Sequence, residues 1–329
     1  MGSRLLLHIG YHKTATSWMQ QRLFVPDHGY HQIARHAEVW DHIVAPHGLM
    51  FDPAVMRGKI DLAMASCPDG LVPVISSEIL SGHPFFGGMG SDDYARRLKA
   101  IAPDARILIS IRSQKRILTS VYMQYLLRGG TMKPELFFAG DPELGFHGFR
   151  AEHFEYHRLI ALYQDLFGAA NVHVITQESL KNDMDAATRR LAHFAGNETF
   201  DGVLPSQRKA YAPSYPEYAV PVLRRINKFQ KSVLTPAPTI RIGTTPFGFY
   251  RGFGYVLRRP PFSWLLGRLH PVSDTVDRMF TGRFDDSNRK LAELAGAYLD
   301  LTDYGIALRA VPRDDQPATA SRTKRTGTG

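Results

Sequence analysis

The sequence predicts an α/β fold, a parallel sheet flanked by helices, followed by a basic, aromatic C-terminal segment that is mostly irregular or helical. Three observations predict it. Four short β-rich apolar runs, at 4–9, 71–76, 106–111 and 171–175, alternate with helical patterns. The first run enters a Lys-Thr turn and then an amphipathic stretch, from Leu5 to Trp18. Between 231 and 284 the regular pattern weakens into many Pro, Gly and aromatic residues.

The elements follow in order. A helix is expected over 14–24 from Trp18, Met19 and Leu23, and a short one over 92–101. Over 114–127, Ile117, Leu118, Val121, Tyr122, Tyr125 and Leu126 recur at helical spacing. Over 152–167, Phe154, Leu159, Ile160, Tyr163, Leu166 and Phe167 do the same, and Gly168 ends the helix. Further helices are expected at 184–195, at 216–229 where Pro221 weakens the pattern, and at 286–298. Short buried strands between amphipathic helices call for a sheet covered on both faces. Residues 1–230 are expected to form the core, 231–284 an insertion or subdomain, and 285–312 a helix completing the core. Residues 313–329 have almost no apolar side chains and are expected to be a disordered tail.

The 329 residues suffice for one large α/β domain or a domain with an insertion. The single cysteine, Cys67, excludes an internal disulfide and a cysteine-rich metal site, and suits a reducing compartment. The run at 4–9 is too short for a signal peptide, and no stretch approaches ~20 consecutive apolar residues, so a cytoplasmic protein is expected. The net charge of +9 favours acidic partners without choosing among nucleotide, acidic glycan, nucleic acid and membrane surface. The 14 histidines show no HExxH and no paired Cys/His spacing, so no metal is expected.

The loop Gly10-Tyr11-His12-Lys13-Thr14-Ala15-Thr16-Ser17 has the makings of a phosphate cradle. The first N–H groups of a helix lack partners and favour an anion. Lys13 adds a full charge, Thr14, Thr16 and Ser17 add hydroxyls, and small Ala15 allows close approach of the backbone. A Walker A loop places glycines where this chain has Leu7 and His12, so only Lys-Thr matches. ATP-using P-loop enzymes place an acid at the end of a neighbouring strand to help hold Mg²⁺. Here the strand at 106–111 ends in Arg112, and Ser120 follows eight residues on. An Arg clamps phosphate bidentately and requires no metal.

The pair of motifs resembles the PAPS-dependent sulfotransferases. In that family a Lys-Ser/Thr-Gly-Thr-like loop after the first strand holds the 5′-phosphosulfate, and an Arg with a Ser eight residues later holds the 3′-phosphate. Lys13, Thr14, Thr16 and Ser17 match the first motif, and Arg112 and Ser120 the second. Ala15 departs from the usual Gly, and little loss is expected if its φ is negative. Val172–Leu180 resembles the family's strand and Tyr-Glu-x-Leu-like element, with Gln177 in the Tyr position. Ser287 to Leu291, with Tyr304-Gly305, resembles the C-terminal part of bacterial carbohydrate sulfotransferases. The resemblance spans roughly 4–230 and 284–306. It implies a P-loop-like fold whose 1–230 core binds PAPS, releases PAP and needs no metal.

Sulfuryl transfer to an alcohol needs a base for the hydroxyl proton and cations for the leaving phosphate. Glu78 lies just past the strand at 71–76, at the end where open α/β sheets bind ligands. The resemblance gives it the base's role, against the alternative of a helix-capping Glu, and gives Lys13 the bridging oxygen. His12 and His83 are competitors, His12 for contact with the phosphosulfate and His83 for the acceptor side. Gln207-Arg208-Lys209 is a basic loop of the kind that closes over the nucleotide in this family, or else a solvated turn. From 224 to 268 there are nine Lys/Arg, no Asp or Glu, and eight of the chain's aromatic residues. That segment suits an acidic or sugar acceptor, an anionic membrane carrying a lipid-linked glycan, or a small subdomain with its own aromatic core; a nucleic-acid surface would look similar in composition, but no specific nucleic-acid partner is expected. The sequence thus points to sulfuryl transfer from PAPS to a saccharide or glycoconjugate hydroxyl, by a cytoplasmic protein with or without peripheral membrane contact. Rival readings are a P-loop kinase or NTPase, and a nucleotide- or glycan-binding module without catalysis.

Overall fold

The middle of the molecule is built on Leu6–Gly10 (β1), five residues that are all buried. In the computed structural model, which describes residues 4–208, 215–238, 240–247, 249–296 and 298–306, it is flanked on both sides by parallel strands. These are Tyr30–Ala34 (β2), Val72–Ser76 (β3), Arg106–Ile111 (β4) and Val172–Thr176 (β5), in the order β2-β3-β1-β4-β5. His8 lies opposite Ser76 on one side and Leu108 on the other, and Gly10 lies opposite Ser110. The tail expected from 313 onward lies outside the described residues.

Period-two alternation sends side chains to two cores. Leu7, Ile9, Ile75, Ile107, Ile109 and Ile111 enter the larger one, under helices Ser91–Ile101, Gln114–Leu127, Tyr156–Phe167 and Asp285–Ala295. Leu6, Val72, Val74 and Leu108 enter the smaller one, with Trp18, Met19 and helix Met184–Ala195. A sheet covered on both faces explains why its strands read as apolar runs.

The α/β architecture is as expected, and several local elements differ. The helix after the loop starts only at Thr16, runs to Trp18 and continues as a π-helical turn, Met19–Leu23. The stretch before Phe167 splits into a 3-10 turn, Ala151–Phe154, and the helix Tyr156–Phe167. Pro221 does not weaken its helix, Val220–Asn227, because it sits in the first turn, where a missing N–H costs nothing. The strand β2 and the helix Pro53–Ala65 have no counterpart in the apolar runs. β2 is an edge strand with only Tyr30 fully buried, and the helix buries only Met56 and Ile60. Within 231–284 three helices form, Phe249–Leu257, Phe262–Leu266 and Pro271–Phe280, beside a two-stranded pair of Gln230–Lys231 with Gly243–Thr244.

Candidate active site

After β1 the chain builds β2 at the sheet edge and β3 beside β1, then crosses to β4 on the other side of β1, so the strand order reverses at β1. The C-terminal end of such a switch point is an open crevice. Because all five strands are parallel, their following residues gather at one end: Arg35 after β2, Glu78 after β3, the 10–17 loop after β1, Arg112 after β4 and Glu178 after β5.

The loop is held from below by buried polar groups. His8 is fully buried, its Nδ1 2.8 Å from Ser76 Oγ and its Nε2 3.0 Å from Ser110 Oγ. Ser110 Oγ is 2.7 Å from Thr14 Oγ1, which donates to the Tyr11 carbonyl at 2.6 Å. Burial lowers His8 to about 3, so its imidazole is neutral and bridges three strands to the loop. Gly10 is required by space, since a Cβ there would collide with Thr16 Cγ2 and Ser110 Oγ.

Lys13 and Ala15 adopt φ of 69° and 71°, the two positive-φ non-glycine residues among the described residues. The condition of a negative φ at Ala15 is not met: this is left-handed backbone, which a Cβ disfavours by roughly 1–2 kcal/mol. Left-handed residues in a tight turn point successive N–H groups into one concavity, an anion nest. Strained backbone of this kind persists where the surroundings over-determine it.

Arg112 reaches back to this loop. Its Nη1 donates to Ser120 Oγ at 2.8 Å and lies 3.4 Å from the Lys13 carbonyl. Ser120 is on helix Gln114–Leu127, two turns from the Arg, as the spacing of eight requires. Arg112 Nε is buried and has no partner among the described residues. Burial holds Arg112 below its ordinary value, with Glu178 acting against it. Lys13 is half-buried with no ion-pair partner among the described residues, and burial, then Arg112, lower its pKa while Glu78 opposes them. Two cations share a desolvated crevice, an arrangement that favours an anion between them.

Residues to which sequence reasoning gave no role hold Arg112 in place. Tyr156 Oη donates to the Arg112 carbonyl at 2.6 Å. Buried Glu178 accepts from Ser113 N and from Tyr304 Oη, each at 3.3 Å. Gln114 and Asn288 pair their buried amides at 2.8 Å, and Asn288 donates to the Tyr304 carbonyl, which brings helix Asp285–Ala295 onto the start of the Arg112 helix. A sequence signal existed for several of these. His8 and Ser110 are polar residues inside apolar strands, and buried polar groups of that kind require partners.

The other expected residues are placed as follows. The Tyr11 ring is packed against His153 and Tyr156 in the core, so only its backbone faces the loop. The Thr14 hydroxyl is used internally, as described, and Thr16 is buried, whereas Ser17 is exposed. Glu78 opens a 3-10 turn, Glu78–Ser81, is half-buried, and accepts from Gln20 Nε2 at 3.4 Å, which also donates to the Ser76 carbonyl. His12 is buried 5.1 Å from the His83 ring, its Nε2 without a partner among the described residues. Burial, then His83, His153, His36 and Lys13, hold His12 well below its ordinary value, so it offers a neutral hydrogen bond and no charge. His83 is lowered to about 4 by burial and Arg128. Arg208 is committed to Asp185 at 2.6 Å and to the Val203 carbonyl. Its turn is joined to the loop helix, because Trp18 Nε1 donates to the Gln207 carbonyl at 2.9 Å. Lys209 lies outside the described residues. Among the described residues no group of three His, Cys, Asp or Glu is placed to hold a metal ion.

Beyond Glu78, a groove of about 430 Å³ is lined by the polar residues Gln20, Gln32, Arg35, His36, Glu38 and Ser76, with Ile33 and Ala34. The strand order therefore runs, across one end of the sheet, from this polar groove through Glu78 and the loop to Arg112.

No protein-family model matches the chain, and no curated protein matches it. Among the solved structures similar to it are two sulfotransferases. One is a sulfotransferase from Alicyclobacillus acidocaldarius, 20% identical, covering 68% of this chain and 89% of its own, with a TM-score of 0.42. The other is mouse sulfotransferase SULT7A1 complexed with PAP, 15% identical, covering 88% of this chain and 87% of its own, with a TM-score of 0.39. At these values the likeness is one of fold, and a loose one.

Proposed function

We propose that the protein is a PAPS-dependent sulfotransferase acting on a hydroxyl of a saccharide or glycoconjugate. The observation that carries this reading is the meeting of two desolvated cations at the switch point. Lys13 stands on a left-handed loop, and Arg112, braced by Ser120, stands where a metal-dependent nucleotide enzyme carries an acid. The two cations would suit a nucleotide with two separate phosphates. The buried, unpartnered Arg112 Nε is a donor that a 3′-phosphate would satisfy, and the loop N–H groups suit the 5′ side.

PAPS, when bound, would supply the activated sulfuryl group. Lys13 would offset charge growing on the bridging oxygen, with neutral His12 as a hydrogen-bonding neighbour. Loop residues 10–17 would bind mainly through backbone N–H groups, because Tyr11 and Thr14 spend their side chains internally. Arg112 with Ser120 would orient the 3′-phosphate, and Glu178 and Tyr156 would fix the Arg. Glu78, beside Gln20, would take the acceptor hydroxyl's proton. Arg208 would lie near the loop through the contact of Trp18 with Gln207. A saccharide acceptor is supported by the polar groove on the far side of Glu78, whose amides and Arg35 suit hydroxyl groups.

The test is a titration with PAP, ATP and ADP, with and without Mg²⁺. Tight binding of PAP without metal is expected, and preference for Mg-ATP overturns the reading in favour of a kinase or NTPase. Sulfated product from a saccharide panel distinguishes the enzyme from a non-catalytic binding module.

A further inference from the structure

Residues 218–273 contain nine Lys/Arg and no Asp or Glu. Only some of their aromatic and aliphatic side chains close into a core. Twelve of the 26 exposed large apolar side chains among the described residues lie between 229 and 269. Helix Phe249–Leu257 turns Tyr250 and Leu257 inward onto Ala219 and Leu223. Phe253 and Val256, three apart on another face of the same helix, are exposed. In the next helix, Phe262–Leu266, Trp264 is 79% exposed and Leu265 75%. Lys228, Lys231, Arg241, Arg251 and Arg268 surround these residues in the sequence, are exposed, and pair with no carboxylate among the described residues.

We propose that the 224–268 surface docks on an anionic lipid bilayer. Apolar tips of this kind enter the boundary between headgroups and acyl chains, while Lys and Arg stay with the headgroups. Charge decides against a second copy, because an acid-free basic patch would repel the same patch on another molecule. The aliphatic residues decide against nucleic acid, since Ile240, Ile242, Val256, Leu265 and Leu269 gain little on a polyanion whose affinity comes from phosphate contacts. Among the described residues no helix is long and apolar enough to cross a membrane, so this is docking from one side.

The surface is fastened to the helix that carries Ser120. Asn227 donates to the carbonyls of Leu126 and Gly130 at 2.9 Å, and Leu234 N donates to the Arg128 carbonyl at 3.1 Å. The docking surface thus stands one helix away from Arg112, and it stands independently of the sulfotransferase reading.

Vesicle flotation of the full chain tests it, with phosphatidylcholine alone or mixed with a minority of phosphatidylglycerol, at about 0.1 M and about 0.5 M salt. Flotation with the anionic vesicles only, lost at the higher salt and accompanied by a blue shift of tryptophan emission, is expected. Trp264→Asp with Leu265→Asp should abolish it. Arg251→Glu with Arg268→Glu should weaken it at least about 25-fold, at about fivefold for each of the two charges removed. Circular dichroism of both exposed-site variants should match the parent. Absence of flotation at low salt overturns the proposal, as does flotation unchanged in both variants. A concentration-dependent dimer broken by the first variant, with no flotation, assigns the surface to a second copy. Retention by RNA without flotation assigns it to a polyanion, and either result overturns bilayer docking.

Discussion

Lowering the pH from 7 to 5 should cost the fold about 4 kcal/mol through two histidines. His8 and His153 are buried in the folded state, and burial lowers each to about 3, with His83 adding to the effect on His153. In the unfolded chain each takes up its proton near the ordinary value of about 6.5. Between pH 6.5 and 3 the unfolded state therefore binds more protons, and stability falls as the pH falls. At pH 5 each imidazole contributes about 2 kcal/mol, from 1.5 pH units below its unfolded pKa at roughly 1.4 kcal/mol per unit. Two such losses are a large share of the roughly 5–15 kcal/mol that holds a domain folded. His12, held down by the same burial, adds to the loss in the same direction. Urea unfolding followed by circular dichroism between pH 7.5 and 5 gives the slope of stability against pH. It should reach at least two protons, about 2.7 kcal/mol per pH unit, near pH 5. In His8→Gln an amide remains to bond Ser76 and Ser110, and the slope should fall by about one proton whatever the stability at pH 7.5. A parent slope below one proton refutes the buried, neutral histidines, and an unchanged slope in His8→Gln refutes the placement of His8.

Other consequences are as direct. Ala15→Gly relieves a left-handed φ at the expense of unfolded-chain entropy, so thermal unfolding should show a gain of up to about 1 kcal/mol. A loss larger than that would contradict the strain. Arg112→Lys, which keeps charge but not the planar fork, should weaken PAP binding by about tenfold to a hundredfold and leave ADP, which lacks the 3′-phosphate, little changed by calorimetry. Equal loss for both nucleotides would remove the 3′-phosphate assignment. Glu78→Gln should leave PAP affinity intact while steady-state turnover falls by about 10²–10⁴. Lys13→Ala should lower turnover by about 10²–10³, and near-normal rates would remove it from the mechanism.

Much of the frame was legible because it depends on local pattern. β4 and the helices Gln114–Leu127 and Met184–Ala195 occupy the expected residues, since burial on both faces makes strands uniformly apolar and helices periodic. β2 was not legible, because an edge strand with one buried residue carries no such run. The helix Pro53–Ala65 carried a start signal, Asp52 capping before Pro53, but its two buried side chains are too few to show a period. In the crevice, Lys13, Arg112 and Ser120 could be picked out from residue type and spacing. Tyr156 could not, and Glu178, Asn288 and Tyr304, though they fall in stretches that resemble the family, showed no role there, because they hold Arg112 from 44 to nearly 200 residues away.

The sequence by itself determined the alternation of strands and helices, the Lys-Thr turn, the Arg-to-Ser spacing and the acid-free basic stretch. Each is a matter of residue type at short range. Only the tertiary structure decided that β1 stands at the reversal of strand order, which brings loop and Arg112 to one crevice. It also turned the Ala15 backbone left-handed, because His8, Ser110 and Thr14 clamp the loop from below more firmly than one Cβ resists. And it left Trp264 and Leu265 facing outward, where composition alone was equally consistent with a small core. Those outcomes depend on which distant side chains arrive together, and no local pattern encodes that.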